Sequence, residues 1–373
     1  MRAANVLHLG VKELRGLARD PMLLALIVLA FTLSVYSAAT AMPEVLHKAP
    51  IAIIDEDGSP LSARVLGAFD QPYFLPPDLI SPVEADAGLD AGLFTFALDL
   101  PPDFQRDVLA GEAPAVQLSV DATRVSQALS GAGYVQAIVE DEVRELVRRH
   151  REAPAPPVEL SLRARFNPAL DPSWFGAVMQ VINQVTMLSI VLTGAALIRE
   201  RESGTLEHLM VMPVTPAEVM TSKVWSMALV VLVACALSVE LVVKGLLSVP
   251  IEGSVPLFLA GAALHLFATT SMGIYLASRA RTTPQFGLLL ILVMVPLQML
   301  SGGSTPRESM PEVIQVVMQV APTTHFVQLA QAILYRGAGL SVVWPHLLAL
   351  IVIGAVLFGL SLASFRRTLV SSS

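Results

Sequence analysis

Thiol chemistry is almost absent from this chain, whose one cysteine is Cys235. No intramolecular disulfide, Cys-based metal site or dithiol redox pair is therefore possible. The seven histidines show no metal-cluster spacing; His265 and His325 are read as packing or hydrogen-bonding residues, and no metal is assigned. A Gly-x-x-x-x-Gly-Lys-Ser/Thr phosphate loop is also missing, as is any plausible Ser/His/Asp or paired-carboxylate arrangement. The chain is thus expected to be no enzyme and to carry no cofactor. Any energised work must be fuelled elsewhere. Charge is scarce too: 15% of residues are charged against 54% hydrophobic, and the mean hydropathy is +0.64. That balance excludes an ordinary soluble domain and indicates an integral membrane protein.

A helix needs roughly 20 apolar residues to cross the hydrocarbon with its backbone satisfied internally. Six stretches qualify: Met22 to Met42, Trp174 to Ile198, about Val224 to Leu247, Val255 to Ala277, Pro284 to Leu300 and Val343 to Phe365. Lys and Arg gather in one set of flanks, at Arg2, Lys12, Arg15, Arg19, Arg199, Arg201, Lys223, Arg279, Arg281, Arg366 and Arg367. The opposite set holds none between spans three and four, and only Arg307 and Arg336 from Ser301 to Val342. Retention of cations on the cytoplasmic side places both termini inside.

Residues 43–172 then form an extracytoplasmic domain. They hold ten Lys and Arg against twenty-one Asp and Glu, a net −11, while the rest of the chain is +4. The overall acidity belongs to this insertion and offers no surface to nucleic acid. Val158 to Phe166 alternates apolar with polar residues, the period of a half-buried strand. Shorter strands are expected at Ile51 to Asp55, Phe94 to Leu100 and Ala115 to Asp121, with helices at Leu61 to Phe69, Asp103 to Leu109 and Val125 to Arg149. The fold class is therefore a polytopic six-helix membrane protein with an α+β domain inserted between helices 1 and 2.

Residues 1–21 read as an amphipathic interfacial helix touching membrane lipid. His8, Lys12, Arg15 and Arg19 lie on one face and Val6, Gly10, Leu14 and Leu17 on the other. Ala39-Thr40-Ala41 fits a signal-peptidase site, but the long preceding helix favours retention of the first span.

Span two runs into Arg199-Glu200-Arg201-Glu202-Ser203-Gly204-Thr205-Leu206-Glu207 and closes at Pro213. Alternating charges followed by Leu206, Leu209 and Met210 on one helical face suit a peg on which a soluble partner pushes. The plainer alternative is a charged turn that keeps span two from sliding inward. Within the membrane, Glu240 and Lys244 have the spacing of a helical ion pair, with a proton or substrate site as the alternative. Gln180, Asn183 and Gln184 on span two, with Gln298 on span five, serve either as interhelical hydrogen-bonding residues or as the lining of a path.

The run RERESGTLEHLMVMP (Arg199 to Pro213) with VTPAEVMTSK (Val214 to Lys223) resembles the membrane subunits of type 2 ABC exporters, in the branch with a large external insertion between spans one and two. LDLPPDFQRDVLAG (Leu98 to Gly111), RFNPALDPSWF (Arg165 to Phe175) and APTTHFVQLAQAILYRGAG (Ala321 to Gly339) agree in the expected order. The resemblance implies a bacterial inner-membrane permease that exports a small hydrophobic or amphipathic, drug-like or lipid-like compound by alternating access. It implies two copies of an ATPase subunit, which hold the ATP and Mg, and a second permease, identical or paralogous. A periplasmic adaptor and an outer-membrane channel are further possible partners.

Coupling falls, by the same resemblance, to residues 199–223, with Ser203 to Val211 as the coupling helix. Glu200, Glu202 and Glu207 would meet basic residues at the rim of the ATPase cleft. Residues 301–342 become a re-entrant hairpin in the outer leaflet, its apolar Val313, Val317, Val320, Phe326, Ala330 and Ile333 half-buried. Ser301, Gly302, Pro322 and Phe326 are its gate candidates. Gly303-Ser304-Thr305 and Gln331 depart from the family's usual residues. Two other classes stay open: an ion- or proton-coupled secondary transporter governed by Glu240, and a non-transporting mechanotransmission or sensory protein.

Overall fold

The computed structural model describes residues 2–40, 48–69, 73–121, 125–150, 173–204, 214–303, 307 and 310–371. It divides into two compact units, Met1–Ala41 with Ser173–Ser373, and Met42–Pro172. Among the described residues six helices are long and apolar enough to cross a membrane: Pro21–Thr40, Trp174–Glu202, Pro216–Leu246, Val255–Arg279, Thr283–Leu300 and Leu340–Arg367. They follow the six expected stretches to within a few residues at most ends, the third starting eight residues earlier. The chain begins with α1 (Ala3–Ala18), α2 (Pro21–Phe31) and α3 (Leu33–Thr40).

The second unit is built on a mixed sheet of β1 (Ile51–Asp55), β2 (Asp78–Leu79), β3 (Phe96–Leu100) and β4 (Gln117–Val120), in the order β2-β1-β3-β4. β1 runs parallel to β2 and β3, and β4 antiparallel to β3. Ile51, Ile53, Phe96 and Leu98 face one core, shared with α4 (Pro60–Gly67), α6 (Phe104–Ala110) and α7 (Val125–His150). Ala52, Ile54 and Ala97 face another, covered by α5 (Pro82–Asp90). Burial on both faces explains why β1 reads as a continuous apolar run. β2 and α5 lie outside the expected elements. The α5 sequence carries Gly88 and two aspartates, all weak helix formers, yet Ser81 donates from its N–H and Oγ to Glu84 Oε2 at 2.9 and 2.8 Å, a capping box. Those bonds hold the Glu84 carboxyl below the usual carboxylate range. The strand expected from Val158 to Phe166 lies outside the described residues.

The first unit continues with α8 (Ser173–Glu202), α9 (Pro216–Leu237), a π-helical segment (Ser238–Leu246), α10 (Val255–Arg279), α11 (Thr283–Leu300), α12 (Glu312–Met318), α13 (Pro322–Leu334) and α14 (Leu340–Ser371). α10 is the central post: its Gly261 and Gly273 leave room for Leu329 and for the Ile190 carbonyl, which a Cβ at Gly273 would meet at 2.6 Å. Span one breaks at Thr32, whose Oγ donates back to Val28 O at 2.6 Å, a geometry that bends helices. Ser238, where α9 turns into the π segment, donates to Phe31 O beside that break at 2.6 Å. Each irregularity therefore meets the other.

Two expectations change. α1 is not simply afloat on a membrane surface. Its Gly10 packs against the Trp225 ring, and Trp225 Nε1 donates to Val6 O at 3.2 Å. In the hairpin, α13 buries Phe326, Ala330 and Ile333 completely, but Val313, Val317 and Val320 around α12 are 63–75% exposed. α12 turns its apolar side outward, as does α11, where Leu288, Ile291, Leu292 and Met299 are all exposed.

Gly10 and Gly16 test the docking of α1. A Cβ at Gly10 would stand 2.1 Å from Trp225, whereas nothing lies within 4 Å of one at Gly16. Gly10→Ala is expected to lower the melting temperature in detergent, by overpacking worth about 1–3 kcal/mol. Gly16→Ala should leave it unchanged or raise it, and indistinguishable melting curves for the two variants would refute this account of the contact.

Candidate functional site

α8 spans 30 residues, about 45 Å at the helical rise, which exceeds the roughly 30 Å hydrocarbon thickness. Its last turn carries Arg199, Glu200, Arg201 and Glu202 beyond the apolar stretch. Four consecutive helical residues point about 100° apart, so they fan around the whole axis. Each reaches a different neighbour.

Arg199 bridges to Asp20 at 3.1 Å, and Asp20 in turn caps α2 by accepting from Leu23 N at 3.1 Å. Arg201 donates to the carbonyls of Ala277, at 3.2 Å, and Ala280, at the C-terminal end of α10 where a cation is favoured. Glu202 Oε1 accepts from Thr283 N and Oγ1 at 3.0 and 2.9 Å, at the N-terminal end of α11 where an anion is favoured. Glu200 receives Lys12 of α1 at 3.2 Å and Lys223 of α9 at 2.8 Å. Lys223 also reaches Glu13 at 2.9 Å and is only 2% exposed. A buried ammonium is tolerable here because two carboxylates share it.

One charged turn thus ties span two to α1, α2, α9, α10 and α11. The carboxylates of Glu200 and Glu202, expected to face a partner's basic rim, are engaged inside the chain. Gly204, at φ +69°, ends α8 in the left-handed region that glycine adopts without strain. Thr205, Leu206, Glu207, Leu209, Met210 and Pro213 lie outside the described residues. α9 restarts on a capping box, with Thr215 N donating to Glu218 Oε2 at 2.9 Å and Glu218 N to Thr215 Oγ1 at 3.3 Å. Glu218 also accepts from Arg2 N, which fastens the chain's first residues to the same end.

Beside the charged turn opens a cleft of about 240 Å³, lined by Lys12, Glu13, Arg199 and Glu200 together with Leu17, Leu23, Leu192 and Met227. Such a surface suits a molecule with an apolar body and a polar end.

Further along the bundle, Gln180 and Gln184 both donate to Ser34 Oγ, at 2.6 and 2.9 Å. These bonds join span two to span one. Asn183 and Gln298 are half-buried, and among the described residues neither joins that pair. Glu240 and Lys244 meet at 2.8 Å on the outward side of the π segment, 53% and 36% exposed.

The four gate candidates lie on α13 and in the turn after α11. Phe326 is fully buried, stacked at 4.2 Å on His265 and at 5.8 Å on Phe258, while Thr186 Oγ1 meets His265 Nε2 at 2.9 Å. Pro322 opens α13. Ser301 and Gly302 form the turn after α11, Gly302 at φ +91°. Lys223, Glu13, Ser34 and Trp225 escaped the sequence reading as site residues. Only the position of Lys223, directly before the apolar run that starts at about Val224, hinted that a partner awaited it.

Residues 21–363 match the family described as ABC-2 family transporter protein. The chain is 60% identical over 365 residues to the inner membrane transport permease YhhJ of Escherichia coli K12, covering 98% of both chains. It is 30% identical over 360 residues to the probable multidrug ABC transporter permease YbhR of the same organism, covering 95% of this chain and 96% of that one. A further relative, the probable multidrug ABC transporter permease YbhS, is 26% identical over 375 residues, covering 98% and 97%.

The charged turn makes its own demand. Lys223→Met would leave Glu13 and Glu200 side by side without their shared cation, a loss worth about 3–5 kcal/mol for a buried pair. A marked fall in melting temperature is expected for K223M, and a smaller one for K223M combined with E13Q and E200Q. If K223M melts like the unaltered protein, the turn does not hold these helices together.

Proposed function

The chain belongs to the ABC-2 family of transporter proteins, and from that premise we propose that it is the membrane-spanning half of an ATP-driven exporter in a bacterial inner membrane. The family membership, the six apolar helices and the inner-membrane naming of its 60% identical relative support this reading. The ATPase is a separate subunit, present in two copies that hold ATP and Mg. Two permease chains, alike or paralogous, enclose the path. Both termini and residues 199–223 lie on the cytoplasmic side, and residues 43–172 outside. The cargo is a small hydrophobic or amphipathic compound, consistent with the multidrug naming of relatives at 30% and 26% identity. Delivery onward through a periplasmic adaptor and an outer-membrane channel is compatible with this arrangement.

The observation that carries the mechanism is the fan of contacts from Arg199 to Glu202. Residues 203–213 follow it directly, so a push on them reaches α8 at the turn that grips five other helices. ATP binding draws the two ATPase subunits together, the segment from Ser203 to Val211 moves with them, and the charged turn passes that motion to the bundle. Differential contact in the ATP-bound and ATP-free states biases the equilibrium between inward- and outward-facing forms. Leu206, Leu209 and Met210 supply apolar packing to the ATPase cleft, and Glu207 supplies registry, since Glu200 and Glu202 are already engaged.

Leu206→Ala and Glu207→Ala should each abolish ATP-dependent efflux, read as cargo uptake into inverted vesicles holding the permease and its ATPase, while the amount of permease in the membrane stays unchanged. Glu240→Gln should leave efflux intact. Efflux that persists without any ATPase but fails in E240Q would overturn the proposal in favour of ion coupling.

A further inference from the structure

His325, in the first turn of α13, and His346, in the second turn of α14, are 21 residues apart in sequence, too far for any metal-site spacing to be read. The fold brings them together at the end of the bundle remote from the charged turn, with Nδ1 of one ring 3.4 Å from Nδ1 of the other. The ring centroids are 5.7 Å apart and the planes tilted by 46°, so the rings are not stacked. The separation is long for a nitrogen–nitrogen hydrogen bond. It matches something else: two nitrogens each about 2.0–2.1 Å from a tetrahedral zinc stand about 3.3–3.4 Å apart.

The other nitrogen of His325 supports that reading. Its Nε2 lies 2.8 Å from the carbonyl oxygen of Gln319. A carbonyl only accepts, so Nε2 carries the proton and the neutral ring presents a bare lone pair at Nδ1. A metal-binding imidazole is commonly fixed in this way, with the far N–H on a backbone carbonyl setting tautomer and ring orientation. Both rings are half-buried, which leaves a route for an ion and water.

We propose that His325 and His346 are the protein ligands of a site for a borderline divalent transition cation, with zinc as the type case, bound through both Nδ1 atoms and completed by water. Among the described residues no third His, Cys, Asp or Glu joins them. Arg307 and Arg336 place positive charge in the neighbourhood of His346. That charge opposes any cation, so binding must come from the two imidazole nitrogens, which suit nickel, copper and zinc and not calcium or magnesium, whose ligands are oxygens. A bound ion would join the turn at Gln319, α13 and α14 into one piece.

The test uses the full chain, purified without a histidine tag in detergent or nanodiscs, and ZnCl2 alone as the probe in equilibrium dialysis. One zinc per chain is expected, together with a rise in melting temperature. Neither effect should appear with CaCl2 or MgCl2. H325N and H346N, once shown to melt cooperatively in the absence of metal, should each lose the bound zinc and the thermal shift, whereas H8N should keep both. If the folded wild-type chain binds no zinc, or if H325N and H346N retain it undiminished, the proposal is wrong. These readouts need no ATPase and no cargo, so their outcome is independent of the transport reading.

Discussion

Everything at one end of the bundle depends on keeping Lys223 charged and buried. An ammonium shut away from water is costly unless carboxylates surround it, and Glu13 and Glu200 do so at 2.9 and 2.8 Å. These three residues come from α1, α8 and α9, so the requirement to neutralise one cation fixes three helices at once. Arg199, Arg201 and Glu202 extend the same logic to α2, α10 and α11, two of them by meeting helix ends whose polarity suits their sign. Lipid cannot drive helices together by excluding water, so contacts of this kind and close packing at small residues must do it.

Close packing sets the rest of the bundle. Gly273 lets α10 approach Ile190 of α8, and buried hydroxyl pairs such as Ser189–Thr269 and Ser278–Ser364, both at 2.6 Å, stitch neighbouring helices along its length. α11 and α12 stand apart, with their apolar sides uncovered. Lipid or a second apolar surface could cover such a face equally well.

How much of this was legible follows from which forces act locally. The six spans were readable because bilayer thickness imposes a length and an apolar composition on each one independently of the others. Most elements of the sheet unit were readable for a similar reason, short apolar runs and the turn residues between them being local. The Arg-Glu-Arg-Glu run was conspicuous, but its partners were not, because Asp20, Lys12, Lys223, Ala280 and Thr283 come from distant parts of the chain. A four-residue fan implies a ring of neighbours more than a single face, and that geometric hint could have redirected the reading. The break at Thr32 and the π segment at Ser238 are tertiary compromises with no signature in composition, and the pairing of His325 with His346 exists only because α13 folds back against α14.

The docking of α1 also has a consequence in time. Glu13 waits for Lys223, which the ribosome delivers 210 residues later, an interval of roughly 10–40 s at ordinary elongation rates. Until Glu200 and Lys223 are made, neither Lys12 nor Glu13 has the ion-pair partner it meets in the finished bundle. Closing the N-terminal corner of the bundle is therefore a late event in synthesis, settled only when the third crossing supplies the shared cation.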